Sequence, residues 1–267
     1  MPSATPDMKL EKETLLQAYT IMSRARAMAD IYDANRQITT YVHSTSKGHE
    51  AIQIAVGLQL KAFDFAAPYY RDDSMLLSMG MEPYELMLQL LAKADDPFSG
   101  GRTYYSHPSL RREGMPVMPH QSSATGMQAI PATGMAHGIK YLESQNLLPG
   151  NNSPVVLCSL GDGSVTEGEV AEAMQMAVLA KLPIIFLVQD NDWGISASGD
   201  EMRAMNAFEY AAGFKGMERR TIDGTDFTQC YHTFSECLEY VRNSRSSLLL
   251  HVKVPLLGHH TSGVRKE

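Results

Sequence analysis

The sequence predicts an α/β fold with a mainly parallel sheet flanked by helices. In the second half of the chain, short apolar runs alternate with stretches of helical periodicity, a pattern typical of parallel sheets. The first third is largely helical, and no internal repeat or low-complexity linker divides the 267 residues. We therefore expect a single domain over residues 1–267, with a helical extension over about residues 1–60.

Three helices are predicted in the first third. The segment KETLLQAYTIMSRARAMADIYDANRQI carries apolar residues at helical spacing with charges between them, which predicts a long amphipathic helix. The segment GHEAIQIAVGLQL predicts a second helix. EPYELMLQLLAKADDP predicts a third, which begins near Pro83 and ends before Pro97.

The middle and second half complete the prediction. The stretch DDPFSGGRTYYSHPSLRREGMPVMPHQ shows neither period, so it predicts a loop that is either functional or mobile. SSATGMQAIPATGMAHGIKYLE predicts a helix with small residues on one face, in which Pro131 is an unfavourable position. Beyond it, strands are predicted for PVVLCSL, PIIFLVQ, ERRTID and SLLLHVKV, and helices for TEGEVAEAMQMAVLAK and DFTQCYHTFSECLEYVRNS.

Composition excludes several classes of function. The net charge of −7 argues against a protein that reads nucleic acid, which usually has a basic face. No stretch approaches the roughly 18 apolar residues of a membrane span, and the polar beginning lacks a signal-peptide core. The cysteines, Cys158, Cys230 and Cys237, form no CxxC pair and are odd in number. We expect a cytoplasmic protein with no nucleic-acid or membrane partner.

Asp162 stands between two glycines directly after an apolar run, and Asn191 and Trp193 follow the next predicted strand. Ligands of open parallel sheets bind beyond the carboxyl ends of the strands, so the two loops are expected to face one site. Gly161 and Gly163 would let an anionic group approach backbone N–H groups at a helix N-terminus. An aspartate beside such an anion implies a divalent cation between them, and Mg²⁺ fits. A lone GDG is more often a turn that caps a helix, but the spacing across one βαβ unit favours the metal.

Several segments together resemble a known family. GDG followed by 27 residues and Asn191 resembles the thiamin-diphosphate signature. The longer segment GDGSVTEGEVAEAMQMAVLAKLPIIFLVQDNDWGIS is similar to the α subunit of the decarboxylating component of 2-oxo acid dehydrogenase complexes. PYYRDDS, GGRTYYSHPS, HQSSATG and LLGHHTSG resemble further segments of that family, so the resemblance covers roughly Leu15 to Gly263. It implies a thiamin-diphosphate-binding, transketolase-like pyrophosphate domain.

The resemblance also implies roles for individual residues. The expected cofactor-binding residues are Tyr70 and Arg71 at the diphosphate, Ser123 at the aminopyrimidine, Gly161, Asp162, Gly163, Ser164 and Asn191 at the strand ends, and His259 near the reacting centre. The expected Mg²⁺ ligands are Asp162, Asn191 and a backbone carbonyl near Trp193. An apparent one-residue insertion leaves Ser122 open as an alternative to Ser123. His107 and His259 are the expected catalytic histidines, whereas His49 and the other isolated histidines are expected to be structural.

The implied activity is oxidative decarboxylation of a small 2-oxo acid. Thiamin diphosphate and Mg²⁺ are the implied cofactors, and the acyl group passes to a lipoyl-bearing acyltransferase. EGE, GIS and GHHTS look closer to the branched-chain type, which favours 3-methyl-2-oxobutanoate dehydrogenase, while pyruvate or acetoin remains open. A β-type subunit or a fused second half is the implied partner, because it contributes the glutamate at the pyrimidine. A two-plus-two heterotetramer or a dimer of fused chains would follow, and we expect the chain alone to be inactive.

The sequence also departs from the family. Gln189 stands where much of the branched-chain type has an arginine, which removes a bidentate phosphate donor. Asp190 and Asp192 add negative charge beside a diphosphate site. The family's α subunit continues beyond the position of Glu267, so we expect a truncated piece or the first part of a fused chain.

Two further functions are alternatives to the enzyme. A non-catalytic assembly module, which keeps the fold and the partner surface but has no working site, would explain the departures. A nucleotide-binding α/β protein is disfavoured because the sequence has no GxGxxG or GxxxxGK[ST] loop.

Overall fold

A parallel sheet forms the centre of the protein, for which a computed structural model describes residues 9–119, 123–150 and 152–263. The strands are β1 Phe65–Ala67, β2 Val156–Gly161, β3 Ile184–Asp190, β4 Trp193–Gly194, β5 Ala197–Ser198, β6 Glu218–Asp223 and β7 Leu248–Lys253. Five of them form one sheet in the order β1-β2-β3-β7-β6, and all of its pairings are parallel. β4 and β5 form a separate antiparallel pair. The predicted α/β fold with a parallel sheet is confirmed.

Helices cover both faces of this sheet. In chain order they are α1 Lys12–Ala34, α2 Glu50–Gly57, α3 Asp73–Ser78, α4 Pro83–Leu90, α5 Ala129–Ser144, α6 Gly168–Leu179, α7 Gly199–Met202, α8 Ala207–Tyr210 and α9 Phe227–Ser244. Local chemistry fixes several of their starts. α4 begins with a capping box of Glu82 and Glu85 and has Pro83 in its first turn, and the Asp226 side chain caps α9 by accepting from the N–H of Gln229.

Two hydrophobic cores lie on opposite faces of the sheet. Successive residues along β2 and β3 point to opposite faces, so Leu157 and Ile185 join one core while Cys158 and Phe186 join the other. The first core is closed by α1, α2, α3, α4 and α9, and the second by α5, α6 and α8. Because β2, β3 and β7 are buried on both faces, their sequences read as nearly continuous apolar runs.

The helix predicted from SSATGMQAIPATG begins later than expected. α5 starts at Ala129, and Gly126 just before it has a φ of +82°, a left-handed conformation that an L side chain rarely adopts. Pro131 is therefore in the first helical turn, where a backbone N–H has no partner within the helix. It removes no helical hydrogen bond there. The short elements β1 and α3 were not predicted. Across the described residues, no helix combines the length and hydrophobicity that a membrane span requires.

Candidate functional site

The ends of β2 and β3 bring the two predicted loops together. Gly161 pairs in register with Gln189, so the residues that follow each strand emerge at the same carboxyl edge. Asp162 begins a short 3₁₀ turn there, and Asn191 and Trp193 follow β3. The sheet register therefore produces the shared site that the sequence spacing predicts.

A cavity of about 390 Å³ opens at this edge. Eight residues predicted as cofactor or metal ligands line it: Tyr70, Arg71, Gly161, Asp162, Gly163, Ser164, Asn191 and Trp193. A Cβ at Gly161 would lie 3.3 Å from Cε2 of Tyr69, so a larger residue there would require the tyrosine ring to shift by a few tenths of an ångström. The structure thus brings together residues from three separated segments of the sequence.

A second cavity of about 520 Å³ adjoins the first. Ser123 and His107, the predicted aminopyrimidine contact and active-site histidine, line this cavity rather than the first one. Tyr70 and Ile195 line both, so the two cavities are neighbours with a shared wall. Ser122, the alternative to Ser123, lies outside the described residues.

The histidine that lines both cavities is His260, not the predicted His259. The N–H of Ile195 donates to His260 Nε2 over 3.2 Å. Burial, followed by the positive charge of Arg71, lowers the pKa of His260 to about 4, so the ring is neutral near pH 7 and can accept this hydrogen bond. The geometry favours His260 for the site, and the role of His259 stays a prediction.

Arg71 is a buried cation facing the first cavity, with only 1% of its surface exposed. It donates to the backbone carbonyls of Thr45 and His260 over 3.3 and 3.0 Å, and it lies 5.5 Å from the centre of the Tyr70 ring. Within the described part of the chain, its Nε has no hydrogen-bond partner and no carboxylate forms an ion pair with it. Buried charges are normally paired, so this arrangement suits an anionic ligand.

A buried polar network lies behind the metal-ligand candidate Asn191. Asn191 Nδ2 donates to His49 Nε2 over 3.1 Å, which leaves the proton of the imidazole on Nδ1 to donate to Gln189 Oε1 over 3.0 Å. Gln189 Nε2 in turn donates to Asp72 Oδ1 and Ser159 Oγ over 2.8 and 2.9 Å. Burial, followed by the charge of Arg71, lowers the pKa of His49 to about 3 and keeps the ring neutral. Sequence reasoning treated His49 as merely structural, and no motif marked its contact with Asn191.

The acidic residues at this edge surround one arginine that the sequence analysis missed. Arg203 Nη1 donates to Asp162 Oδ2 over 2.5 Å, and Nη2 donates to Asp190 Oδ1 and Asp192 Oδ1 over 2.9 and 3.0 Å. The second oxygen of Asp190 contacts His251 Nε2 at 2.8 Å. Burial, followed by the neighbouring Asp190, raises the pKa of Asp162 to about 6. One cation within the site thus contacts all three carboxylates, including the two extra ones, Asp190 and Asp192.

The donor atoms fit a divalent cation only if a ligand completes its coordination. Among the described residues, no group of three or more histidine, cysteine or acidic side chains is placed to hold a metal ion. Asp162 offers a carboxylate and Asn191 an amide oxygen, which already accepts the N–H of Trp193 over 3.1 Å. Mg²⁺ commonly binds through one or two protein oxygens together with phosphate oxygens, so the site is consistent with that mode.

Comparison with known proteins supports the family that the sequence resembles. Residues 19–263 match the family described as Dehydrogenase E1 component. The 2-oxoisovalerate dehydrogenase subunit alpha of Bacillus subtilis is 30% identical over 218 residues, which are 81% of this chain and 62% of that protein. The pyruvate dehydrogenase E1 component subunit alpha of Mycoplasma genitalium is 24% identical over 256 residues, 95% of this chain and 65% of that protein. The chain thus spans less than two thirds of the length of either relative.

Solved structures support the same fold. A transketolase from Campylobacter jejuni subsp. jejuni superposes with a TM-score of 0.63 at 20% identity, covering 92% of this chain and 38% of that one. The predicted transketolase-like fold is confirmed. Because the family match extends over nearly the whole chain, the protein belongs to the dehydrogenase E1 component family, as an α-type member of it.

Proposed function

We propose that this chain is the cofactor-binding α-type part of a 2-oxo acid dehydrogenase that uses thiamin diphosphate and Mg²⁺. One observation carries the proposal: the buried guanidinium of Arg71, which no described carboxylate pairs, lines the same cavity as Asp162 and Asn191. A cationic anchor and two oxygen ligands around one cavity suit a diphosphate bridged to a divalent cation.

The proposed roles follow the positions of the side chains. Tyr70 and Arg71 hold the diphosphate, with the backbone of Gly161, Gly163 and Ser164 beside it. Asp162, Asn191 and the carbonyl of Trp193 hold Mg²⁺. Ser123 faces the aminopyrimidine, and His107 lies on the substrate side in the second cavity. Thiamin diphosphate, when bound, supplies the electron sink that decarboxylation of a 2-oxo acid requires.

The protein's own residues orient and enclose this chemistry. The carbonyl of His260 and that of Thr45 fix the Arg71 guanidinium, so the positive charge is preorganised before any anion arrives. The neutral His260 ring holds the Ile195 backbone at the wall between the two cavities. We propose that His260 contributes at the reacting side, where the sequence analysis placed His259.

The proposed substrate is a small branched-chain 2-oxo acid, with 3-methyl-2-oxobutanoate the preferred one. The relative at 30% identity is a 2-oxoisovalerate dehydrogenase subunit, which favours this class. Pyruvate is the second candidate, because pyruvate dehydrogenase subunits are similar at 24% and 28% identity.

The proposed partners complete the reaction. A β-type subunit or fused second half supplies the remainder of the site in a heterotetramer or a fused dimer, and a lipoyl-bearing acyltransferase receives the acyl group. We also propose a cytoplasmic location, since the three cysteines are buried and unpaired.

A second candidate function is a non-catalytic assembly module. The observation that favours it is the ion pair between Arg203 and Asp162, which engages the principal metal-ligand candidate. Such a module would associate with its partner equally well when Asp162 is replaced by alanine, and no assembled form would turn over a 2-oxo acid.

Fluorescence offers a direct binding test, because Trp193 is the single tryptophan of the chain and lines the cavity. We would titrate the full chain, with its partner half present, with thiamin diphosphate in Mg²⁺ buffer and follow Trp193 emission. Saturable quenching that is lost in Arg71→Met and kept in Arg36→Met, an exposed control, would support the proposal. Absence of a saturable change in the assembled protein would contradict it.

Turnover then separates the enzyme from the assembly module. Material captured with the chain would be assayed for decarboxylation of branched-chain 2-oxo acids and pyruvate, and for carbon–carbon cleavage of acetoin. Turnover that disappears with Asp162→Ala eliminates the assembly module, and the ranking of the acids identifies the substrate class.

A further inference from the structure

Asp162 and Arg203 form the shortest contact in the acidic group at the cavity edge. Their side chains are 4% and 12% exposed, so the pair is largely shielded from water. Shielding strengthens an ion pair relative to one on the surface, where it would contribute little. The carboxylate that the proposed function assigns to Mg²⁺ is therefore already paired with a cation of the chain itself.

Arg203 is held in place independently of Asp162. Its Nη2 donates to both Asp190 and Asp192, whereas only Nη1 reaches Asp162. Asp190 also contacts His251, which fixes the position of the carboxylate that accepts from Arg203. If the contact with Asp162 broke, the guanidinium would still have two carboxylate partners. The free energy needed to release Asp162 from Arg203 is therefore lower than for an isolated ion pair.

Asp190 and Asp192, the acidic residues that depart from the family pattern, thus accept hydrogen bonds from Arg203. Asp192 occupies a left-handed position with a φ of +63°, where a glycine would be the unstrained choice. Its carboxylate is 70% exposed and still reaches Arg203 at 3.0 Å. Asp190 and Asp192 place a cation within reach of Asp162.

We propose that Arg203 competes with a divalent cation for the Asp162 carboxylate and so lowers the affinity of the site for free metal. This inference rests on the proposed function, since it takes Asp162 as a metal ligand. Two cations that share one carboxylate repel each other, so the metal binds at the expense of the ion pair. If the pair is closed about 90% of the time, the apparent metal affinity falls about tenfold.

The test is a Mn²⁺ titration of the full chain at a fixed concentration of thiamin diphosphate, whose phosphate oxygens complete the coordination, with free Mn²⁺ followed by electron paramagnetic resonance. Arg203→Gln should bind Mn²⁺ about tenfold more tightly than the unaltered chain. Arg220→Gln is the matched control, because it also removes one positive charge and frees a carboxylate, that of Glu236, 2.7 Å away. That variant should bind Mn²⁺ as the unaltered chain does.

The outcomes separate this inference from the proposed function. Equal or weaker binding by Arg203→Gln, with Mn²⁺ binding still lost in Asp162→Asn, overturns the competition and leaves the metal site standing. If Asp162→Asn binds Mn²⁺ as the unaltered chain does, both ideas fail.

A measurement on the unaltered chain covers the case in which Arg203→Gln does not fold. The ¹⁵N–¹H signal of the Arg203 guanidinium should report restricted rotation without metal and faster rotation when Mg²⁺ saturates the site. A signal unchanged at saturating Mg²⁺ would overturn the proposal.

Discussion

Gln189 Nε2 donates to Asp72 Oδ1 over 2.8 Å beneath the candidate site, and neither residue has measurable exposure to solvent. The sequence suggested that glutamine at this position costs the protein a phosphate donor. In the structure its side chain makes buried hydrogen bonds instead. The oxygen accepts from His49 and Gln53, and the nitrogen donates to Asp72 and Ser159. Gln189 is the centre of the network that orients Asn191 through His49.

Gln189→Leu should lower the free energy of unfolding by about 2–4 kcal/mol, because it leaves several buried polar groups without a partner. Urea denaturation measures the effect. Gln145→Leu, at an exposed helix end, provides the matched control and should change stability by less than about 0.5 kcal/mol. A small effect of Gln189→Leu would show that water or rearranged side chains replace its hydrogen bonds.

Arg71→Met should leave the stability of the ligand-free chain unchanged or raise it by about 1 kcal/mol, since it removes a buried guanidinium that forms no direct ion pair with a described carboxylate. Arg242→Met is the informative contrast. Arg242 makes two hydrogen bonds, of 2.9 and 2.6 Å, to the fully buried Asp64, and its loss should cost about 3–5 kcal/mol. Thermal and urea unfolding of both variants without ligand measure the two effects. Equal decreases in the free energy of unfolding would mean that Arg71 is an ordinary structural arginine.

Much of the site was predictable because strand ends in a parallel sheet converge. Two neighbouring apolar runs could be recognised as adjacent strands, and they are followed by Gly161, Asp162 and Asn191. Their proximity could therefore be predicted from the strand order alone. The central strands β2, β3 and β7 were predictable because a strand buried on both faces leaves a clear apolar pattern.

Other parts of the site carry no local signal. Arg203 and Asp162 are separated by 41 residues, and His49 and Asn191 by 142, without a spacing that marks either pair. The sequence prediction named His259, and no local pattern distinguishes it from the neighbouring His260. Both lie in an irregular segment, where neither the helical nor the strand period tells which side chain faces inward.

The pH dependence of stability should reveal the buried Asp73. Burial raises the pKa of this carboxyl from 3.8 to about 7, although Tyr105 Oη donates to it over 2.7 Å. The folded chain therefore holds the proton more tightly than the unfolded chain. The stabilisation from this group is complete below about pH 3.8 and is lost as the pH rises to about 7.

Asp73→Asn removes this term while keeping an oxygen for Tyr105. Its stability relative to the unaltered chain should therefore rise by about 2–4 kcal/mol between pH 4 and pH 7, which urea denaturation at several pH values would measure. Asp200→Asn, an exposed position on α7, controls for the loss of one carboxylate. A relative stability that is flat with pH would mean that Asp73 is ionised in the folded chain at neutral pH.

His260 and His259 should differ in their effect on ligand binding. His260→Leu removes the acceptor for the N–H of Ile195 at the wall shared by both cavities, so it should weaken thiamin diphosphate binding about tenfold in the Trp193 fluorescence titration. His260→Gln keeps an acceptor at a similar distance from the backbone and should restore most of the affinity. His259→Leu should bind thiamin diphosphate as the unaltered chain does, because His259 is absent from the described lining of both cavities. If His259→Leu weakened binding and His260→Leu did not, His259 would be the histidine that contributes at the reacting side. The segment after Gly258 would then have to rearrange when the ligand binds.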